Sequence, residues 1–201
     1  MPRTGPRGGP RTRARIAEVA GRLFHERGFD AVTVAEVARE AGVSSVTVYN
    51  HFPRKEDLFL DRTDEAVELL RAAVRDRPEG DDVPAGLRRA VDDLLEAGHP
   101  LAGTDPRSLP FYRAVATSPS LLARAREIGS ELEGVLAAEI AADGTLEGDG
   151  DLLAALFVAG YAAVLTGTAR RLLAGEERDV VLAAHRARFG TLAEVLRRGF
   201  A

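Results

Sequence analysis

The chain has 201 residues, of which 45% are hydrophobic and 29% are charged, and its formal net charge is −4. This length suits one domain, or a small domain joined to a larger one, and the apolar content is sufficient for a hydrophobic core. The absence of cysteine excludes disulfides, thiolate metal sites and cysteine nucleophiles, and it is consistent with a reducing cytoplasm. The N-terminal stretch "MPRTGPRGGPRTR" is positively charged without an apolar segment behind it, so we expect no signal peptide and a cytoplasmic location.

The charge is distributed unevenly along the chain. Residues 1–55 contain ten Lys or Arg and five acidic residues, whereas residues 56–201 contain 17 basic and 26 acidic residues. A basic head on an acidic body is typical of a protein that binds a polyanion through its head. A solvated basic tail gives the same asymmetry, so charge alone leaves both interpretations open.

The first ten residues are rich in Pro, Gly and Arg and are predicted to form a disordered arm. A helical pattern then begins at Thr12 and ends before Gly28, a residue type that commonly follows a helix. A second helix is predicted to start after Thr33, because Thr33 and Glu36 have the spacing of a capping box.

A short third helix is predicted within the stretch "GVSSVTVYNHF". Gly42 ends the preceding helix, Ser44 is a suitable N-cap, and Pro53 prevents the helix from extending far. A helix, a short turn that contains glycine and a second short helix have the layout of a helix-turn-helix.

On a helical projection, this third helix has an apolar side and a polar side. Val48 and Phe52 share the side that would pack on the first two helices, whereas Val46 and Asn50 point outward. The residues that flank the outward side are Thr47, Tyr49 and His51. Methyl groups can contact thymine, an amide can pair with adenine, and Tyr or His tips can reach phosphates, so the pattern predicts a recognition helix. From spacing alone, the alternative is a capped core helix whose polar side meets water.

A long fourth helix is predicted from about Lys55 to Asp76, and five further helices follow it. Their predicted ranges are 84–98, 105–117, 119–142, 151–174 and 178–199. The sequence therefore predicts an all-α fold of about nine helices. The expected organisation is a disordered arm over 1–10, a helix-turn-helix DNA-binding domain over 11–54, and a larger helical bundle over 55–201.

The stretch from Leu152 to Ala169 contains no charged residue and is about as long as a membrane span. A helix that is apolar all round is otherwise buried on both sides, here by its own bundle and by a second subunit. The final helix supports this second interpretation, because its apolar residues recur at intervals of three and four, as in a coiled-coil seam. We therefore expect no membrane partner and a homodimer. The residues predicted to form its interface are Leu156, Val164, Leu182, His185, Phe189, Leu192 and Leu196.

The stretch "TVAEVAREAGVSSVTVYNHFPRKEDLF" resembles the signature of the TetR family of bacterial transcriptional regulators. The matching elements are the capped "TVAEVA", the "AGVS" turn, the "TVYNHF" of the third helix and the "KEDLF" that opens the fourth helix. The resemblance covers roughly Ile16 to Phe59, about a quarter of the chain. Val46 departs from the family pattern, in which many members carry a small residue such as Gly, and this departure bears on which base is read.

The resemblance implies a role for each matched residue of the helix-turn-helix. Gly42 would make the turn, Ser44 would cap the recognition helix, and Val48 with Phe52 would hold that helix to the head. The implied phosphate contacts are Thr33, Thr47, Tyr49, His51 and Lys55. The residues placed near base edges are Ser45, Val46 and Asn50.

The resemblance also implies a helical body that binds a small-molecule effector, and a dimer formed through the last two long helices. The protein would then be a repressor that binds an inverted-repeat operator in double-stranded DNA and is released by its effector. The body is rich in aromatic and aliphatic side chains, which favours a mostly apolar effector. The residues predicted to line its pocket are Leu95, Phe111, Tyr112, Leu132, Phe157 and Tyr161, although plain core packing explains each of them as well.

The sequence contains no Ser-His-Asp order, glycine-rich phosphate loop or paired-carboxylate motif. His99 and His185 have no neighbouring ligand cluster of the kind that metal sites need. We therefore expect no enzyme activity, no cofactor and no metal. The remaining alternative is a helical ligand-binding or scaffolding protein whose basic head makes only nonspecific polyanion contacts.

Overall fold

A computed structural model describes residues 9–200, and every regular element within that range is helical. The α-helices are α1 (Pro10–Arg27), α2 (Val34–Ala41), α3 (Ser45–His51), α4 (Lys55–Phe59), α5 (Thr63–Arg75), α6 (Val83–Glu96), α7 (Leu109–Thr117), α8 (Pro119–Asp143), α9 (Gly150–Leu173) and α10 (Arg178–Phe200). Two short 3-10 turns, Pro100–Ala102 and Pro106–Ser108, precede α7. The predicted all-α class is confirmed.

Helix α1 begins at Pro10, two residues before the predicted start. Proline suits the first position of a helix, because its backbone angle is already helical and the N–H that it lacks would have no partner there. Pro10, the last residue of the predicted arm, therefore belongs to this helix. Residues 1–8 of the predicted arm lie outside the described residues.

The predicted fourth helix is two helices in the structure, α4 and α5. Leu60 has a φ of −97° and a ψ of 46°, which ends α4, and α5 begins at Thr63. Neither Gly nor Pro occurs at this break, so the apolar periodicity of the sequence runs through it. Helix α4 packs against α1 and buries Leu58, whereas α5 packs against α6 and buries Val74. The two halves of the apolar stripe serve different cores, which gives ten helices where about nine were predicted.

The helices divide into two compact units. The first unit takes in the chain up to Asp61 together with Ser118–Arg124, and the second takes in Arg62–Thr117 and the chain from Ala125 onward. The boundary predicted between residues 54 and 55 falls inside the first unit, and α8 contributes residues to both.

The core of the first unit lies between α1, α2, α3 and α4. Its most deeply buried side chains include Ile16, Val32, Val37, Val48 and Phe52. Three phenylalanines pack with ring centroids 5.5 Å apart in every pair, and they are Phe24, Phe29 and Phe59. The start of α8 is tied to this unit by Arg124, whose Nε donates to Oδ1 of Asp57 at 2.7 Å.

The second unit is a bundle in which α9 and α10 pack along each other and α6 packs against α5 and α10. Its buried core includes Val74, Leu87, Leu136, Leu153 and Phe157. Within the described residues, α9 is the one helix that is long and apolar enough to cross a membrane by length and composition, and 28% of its most apolar window is buried. The other described residues therefore leave one side of this apolar helix exposed.

The apolar seam of α10 faces its own bundle, which corrects part of the predicted dimer interface. Phe189 and Leu196 are 3% and 2% exposed in the single chain and belong to the core of the second unit. Val164 and His185 are equally buried, so none of these four side chains is available to a second chain. Regular spacing indicates that a side is buried but does not indicate which neighbour buries it. The other predicted interface residues are the partly buried Leu182 and Leu192 and the exposed Leu156.

Helix α6 approaches α5 very closely at Gly86. A Cβ built on Gly86 would collide with the carbonyl oxygen of Ala73 and would lie 3.2 Å from Cβ of Arg77. Gly86→Ala is therefore expected to lower the free energy of unfolding by about 1–3 kcal/mol through overpacking, although alanine is the better helix former.

Gly134→Ala in α8 is the matched control for this prediction. Nothing lies within 4 Å of the Cβ position of Gly134, so its replacement should raise the free energy of unfolding, by about 0.5–1 kcal/mol. Urea unfolding followed by circular dichroism measures both variants. Stabilisation by both substitutions would contradict the close approach of α5 and α6.

Candidate nucleic-acid interface

The turn between α2 and α3 is built around Gly42. Its φ of 66° and ψ of 35° lie in the left-handed region, where an L side chain is strained. The N–H of Val43 donates to the carbonyl of Ala38 at 2.9 Å, and the N–H of Gly42 donates to the carbonyl of Arg39 at 3.1 Å. These bonds satisfy the last carbonyls of α2 and redirect the chain into α3.

Ser44 caps α3, as the sequence predicts. The Oγ of Ser44 accepts a hydrogen bond from the backbone N–H of Thr47 at 3.1 Å. The same Oγ lies 2.9 Å from the side-chain Oγ1 of Thr47. The cap fixes the first turn of the predicted recognition helix, and it joins the hydroxyls of Ser44 and Thr47 by a hydrogen bond.

Helix α3 has the two sides that its sequence predicts. Val48 is 0% exposed and Phe52, directly after the helix, is 1% exposed, so together they anchor it in the core of the first unit. On the outward side Val46 is 68% exposed and Tyr49 is 50% exposed, and Asn50 is exposed as well. Ser45, Thr47 and His51 are partly exposed and border this outward side.

The predicted capping box of α2 is present. Oγ1 of Thr33 accepts from the N–H of Glu36 at 3.2 Å and donates to its Oε2 at 2.8 Å. The backbone N–H of Thr33 also donates to Oε2 at 2.8 Å, and this bond is the main reason that the pKa of Glu36 is lowered to about 2. Because the Thr33 hydroxyl gives its one hydrogen to Glu36, a phosphate contact through that hydroxyl requires the bond to be exchanged.

Two predicted phosphate contacts, His51 and Lys55, are partly buried. The Nε2 atom of His51 has no exposed surface and no hydrogen-bond partner, so this atom does not face solvent in the present conformation. The Nζ atom of Lys55 lies 4.3 Å from the centroid of the Phe29 ring. Similarly, the guanidinium carbon of Arg13 lies 4.4 Å from the centroid of Phe52.

Sequence reasoning missed both of these contacts between cations and rings. Each joins residues that are distant in the sequence, and no local spacing rule links such positions. A basic residue near the start of a helix gives no sign of the ring beneath it until the helices have packed.

In the second unit, aromatic residues that were predicted for two different sites lie together. Phe157 and Tyr161 stack with their ring centroids 6.1 Å apart, and Tyr161 meets Phe189 and His185 edge-on at 5.8 and 6.1 Å. Burial raises the pKa of Tyr161, and the neighbouring Tyr112 raises it further. These five side chains are called the aromatic cluster below.

The other predicted pocket residues differ in exposure, and Phe111 packs edge-on against Tyr112 with ring centroids 5.7 Å apart. Leu95 is buried in the core, Leu132 is partly buried, and Phe111 is 39% exposed. The hydroxyl of Tyr112 donates to the carbonyl of Gly103 at 2.7 Å, and burial raises the pKa of Tyr112 to about 12. The predicted pocket set is therefore partly core, partly surface and partly the aromatic cluster.

His185 contributes a buried polar atom to the aromatic cluster. The hydroxyl of Thr168 donates to the carbonyl of Val164 at 3.0 Å, so it accepts from Nδ1 of His185, which lies 2.9 Å away. This arrangement leaves Nε2 of His185 as an acceptor, and that atom is buried without a partner. Burial, with a smaller contribution from Arg188, lowers the pKa of His185 to about 4, so the ring is neutral near pH 7.

A cleft of about 700 Å³ lies at a different place in the second unit, and none of the predicted pocket residues lines it. Its walls are the 77–82 and 145–148 loop segments with the end of α10, and they carry charged side chains such as Arg75 and Asp143. The cleft and the aromatic cluster are therefore chemically distinct features.

Comparison with known proteins decides the family. Residues 16–61 match the family described as "Bacterial regulatory proteins, tetR family". The HTH-type transcriptional regulator TcmR of Streptomyces glaucescens is 32% identical over 158 residues, which cover 77% of this chain and 70% of that protein. The chain belongs to the TetR family of bacterial regulatory proteins. This TetR-family protein is thus a DNA-binding transcriptional regulator and not an enzyme, and its helix-turn-helix lies within the matched segment.

Solved structures of two TetR-family repressors share the fold of this TetR-family regulator. Thermus thermophilus FadR, solved in complex with lauroyl-CoA, aligns with a TM-score of 0.54 at 22% identity and covers 90% of this chain and 92% of its own. AlkX from a Dietzia strain, implicated in biodegradation of n-alkanes, aligns with a TM-score of 0.56 at 19% identity, over 93% and 98% of the two chains. Identities this low establish the common fold and nothing finer.

Proposed function

We propose that this regulator binds an inverted-repeat operator as a homodimer, represses transcription there, and leaves the DNA when a small, mostly apolar effector binds. The observation that carries the DNA-binding mode is the two-sided helix α3. Its inner residues are almost fully buried, and its outer residues include an isopropyl group, a phenol and an amide that face solvent. Such a helix presents chemistry suited to a major groove from a rigid base.

Base reading is assigned to the outward side of α3. Asn50 can pair bidentately with adenine, and the exposed methyls of Val46 can pack on a thymine methyl. Ser45 borders the same side near the start of the helix. Because the Val46 side chain is large and exposed, its identity should influence the preferred operator sequence.

Phosphate binding is assigned to the residues around this side, since phosphate contacts fix the position of a protein on DNA without reading sequence. The phenol of Tyr49 is exposed and available, whereas the hydroxyls of Thr33, Ser44 and Thr47 also serve the helix caps. Lys55 supplies the positive charge, and His51 would use its Nδ1 atom or a rotated ring.

Selection from random double-stranded DNA tests the DNA-binding part of the proposal. We expect one inverted repeat to be enriched, and Asn50→Ala to weaken binding to it by about tenfold or more, the equivalent of 1–3 kcal/mol. Tyr49→Ala should weaken binding to every duplex by about the same factor, because a phosphate contact does not depend on sequence. His25→Ala, an exposed polar change in the last turn of α1, is the control and should have no effect. Equal affinity for all duplexes, with no effect of Asn50→Ala, would favour the nonspecific alternative.

The homodimer is assigned to the exposed sides of α9 and α10. Leu152 and Leu156 of α9 are 49% and 41% exposed, and Val180 and Val195 of α10 are 50% and 57% exposed. The two exposed sides adjoin, because the guanidinium of Arg188 on α10 donates to the carbonyl of Ala163 on α9 at 3.2 Å. An apolar surface of this kind on the last two helices is suited to an isologous contact with a second copy.

The effector site is assigned to the aromatic cluster. Its rings supply apolar contact, and the unpartnered Nε2 of His185 supplies one buried acceptor for a ligand hydroxyl or N–H. A thermal-shift screen of apolar compounds with and without one such donor tests this assignment. A compound counts as an effector only when it also lowers the affinity for the operator, because a ligand shifts the DNA equilibrium only by its differential affinity.

We place the protein in the cytoplasm, where its DNA target lies. The apolar helix α9 is then covered by the second copy of the chain, and no membrane is needed to bury it.

A further inference from the structure

We propose that Phe29 is a positioning residue for operator binding: its ring holds the ammonium group of Lys55 in place for a DNA phosphate. The inference rests on the proposed role of the first unit in DNA binding, and it adds a residue whose side chain is not itself a DNA contact. Phe29 follows the end of α1 and is 6% exposed, and Lys55 opens α4.

The geometry of the pair is that of a cation–π contact. Nζ of Lys55 lies 4.3 Å from the centroid of the Phe29 ring, within the range in which a ring attracts an ammonium group. Among the described residues, no carboxylate forms an ion pair with Lys55. A carboxylate partner would cancel its charge, whereas a ring fixes the ammonium and leaves its positive charge for a polyanion.

The ring is itself held firmly. Its centroid lies 5.5 Å from those of both Phe24 and Phe59, and these two rings are also 5.5 Å apart. Phe59 lies one turn after Lys55 on α4, so a single helix supplies the cation and a neighbour of the ring beneath it. The packing of α1 against α4 therefore sets the position of the ammonium group.

A fixed ammonium should bind phosphate better than a free one. Lysine has a flexible four-carbon stem, and its conformational freedom is lost when the charge is placed against DNA. When a ring has already restricted that freedom, less is lost on binding. The contact of Arg13 with Phe52 is a second case of a basic side chain held on a buried ring of the same unit.

The chain has only one lysine, which permits a direct spectroscopic test. Reductive methylation with ¹³C-formaldehyde keeps the positive charge and labels Lys55 and the N-terminal amine. In the full-length protein we expect the Lys55 methyl signal to be shifted upfield by the ring current of Phe29. Lys55→Gln identifies the signal by removing it, Phe29→Tyr should retain the shift, and Phe29→Leu should abolish it. An unshifted Lys55 signal in the wild-type protein would overturn the proposal.

A double-mutant cycle tests the effect on DNA binding. Fluorescence anisotropy of the unmethylated full-length protein is measured on a selected duplex and on a scrambled duplex of equal composition, over a range of salt concentrations. Lys55→Gln should weaken binding to both duplexes and reduce the slope of log affinity against log salt by about 1. Phe29→Leu should weaken binding about threefold in the wild-type background and have no further effect in the Lys55→Gln background.

A merely structural role of Phe29 predicts a different result. In that case Phe29→Leu would weaken binding equally in the wild-type and Lys55→Gln backgrounds, and this outcome would overturn the proposal. Ile16→Val, a core substitution in α1, is the control and is expected to behave in this way. Phe29→Tyr, which keeps the ring, should bind as the wild type does, and it provides the test if Phe29→Leu does not fold. Equal affinity for the two duplexes would count against the proposed operator function instead, so the two failures are distinguishable.

Discussion

Leu156→Glu is expected to convert the regulator into a monomer and to lower its affinity for the inverted repeat by at least about 100-fold. Leu156 is 41% exposed on the uncovered side of α9, and a buried carboxylate in a dimer interface would have no partner there. Two joined recognition helices bind adjacent half-sites as one unit, whereas a monomer loses the benefit of the second binding event. Sedimentation and anisotropy measurements on the same samples report the two effects.

Leu122→Glu is the matched control for the dimer prediction. Leu122 is 39% exposed on α8, so the same change is made at nearly the same exposure on a helix that carries none of the predicted interface residues. It should leave both the oligomeric state and the operator affinity unchanged. If Leu156→Glu sediments as a dimer with wild-type affinity, the interface does not involve the exposed side of α9.

Arg77→Ala is expected to lower the free energy of unfolding by about 2–4 kcal/mol, the scale of a largely buried ion pair that loses one partner. Arg77 is 9% exposed, and its guanidinium donates to both carboxylate oxygens of Asp143 at 2.8 and 2.7 Å and to the hydroxyl of Thr145 at 2.7 Å. It also donates to the carbonyls of Val74 and Asp81. One side chain thus joins the end of α5 and the following loop to the end of α8 and its loop.

The matched control is Arg107→Ala. Arg107 also donates twice to one carboxylate, that of Asp105, but its side chain is 90% exposed. Exposed ion pairs contribute little to stability, so the urea midpoint of this variant should stay close to the wild-type value. A similar loss of stability in the two variants would show that burial is not what makes the Arg77 contacts important.

The Arg77 contacts should also appear in the pH dependence of stability. Hydrogen bonds from Arg77, followed by one from Thr145, lower the pKa of Asp143 to about 2 from its ordinary value of 3.8. A group whose pKa is depressed by folding contributes stability above its unfolded pKa and loses that contribution as the pH falls towards the folded pKa. The difference between the wild type and Arg77→Ala should therefore be largest above about pH 5 and should shrink as the pH is lowered to 2–3. Urea midpoints at several pH values measure it, and a difference that grows on acidification would contradict the assignment.

Local sequence rules were sufficient for the helix-turn-helix. The capping box of Thr33, the left-handed turn at Gly42 and the cap at Ser44 each depend on residues within five positions of one another, and all three are present. The outward and inward sides of α3 follow from helical periodicity alone, because the helix is short and packs on one side only.

The second unit was harder to predict because its contacts join distant segments. No Gly or Pro marks the break between α4 and α5, and nothing local to Gly86 shows that the Ala73 carbonyl lies against it. In the first unit, too, the ring that lies beneath Lys55 comes from a distant segment, the turn after α1. Such features arise from tertiary packing, so they cannot be predicted from one segment of the sequence at a time.

The sequence by itself determined the all-α class, the capped and two-sided recognition helix and, through its motif, the TetR family. The tertiary structure decided which apolar side of α10 faces its own bundle, where the aromatic residues of α7, α9 and α10 gather, and which cations lie on rings. The physical reason is the range of the interactions. Caps, turns and amphipathic sides depend on residues that are close together in the sequence. The burial of a side chain depends on which helices pack against each other in the tertiary structure.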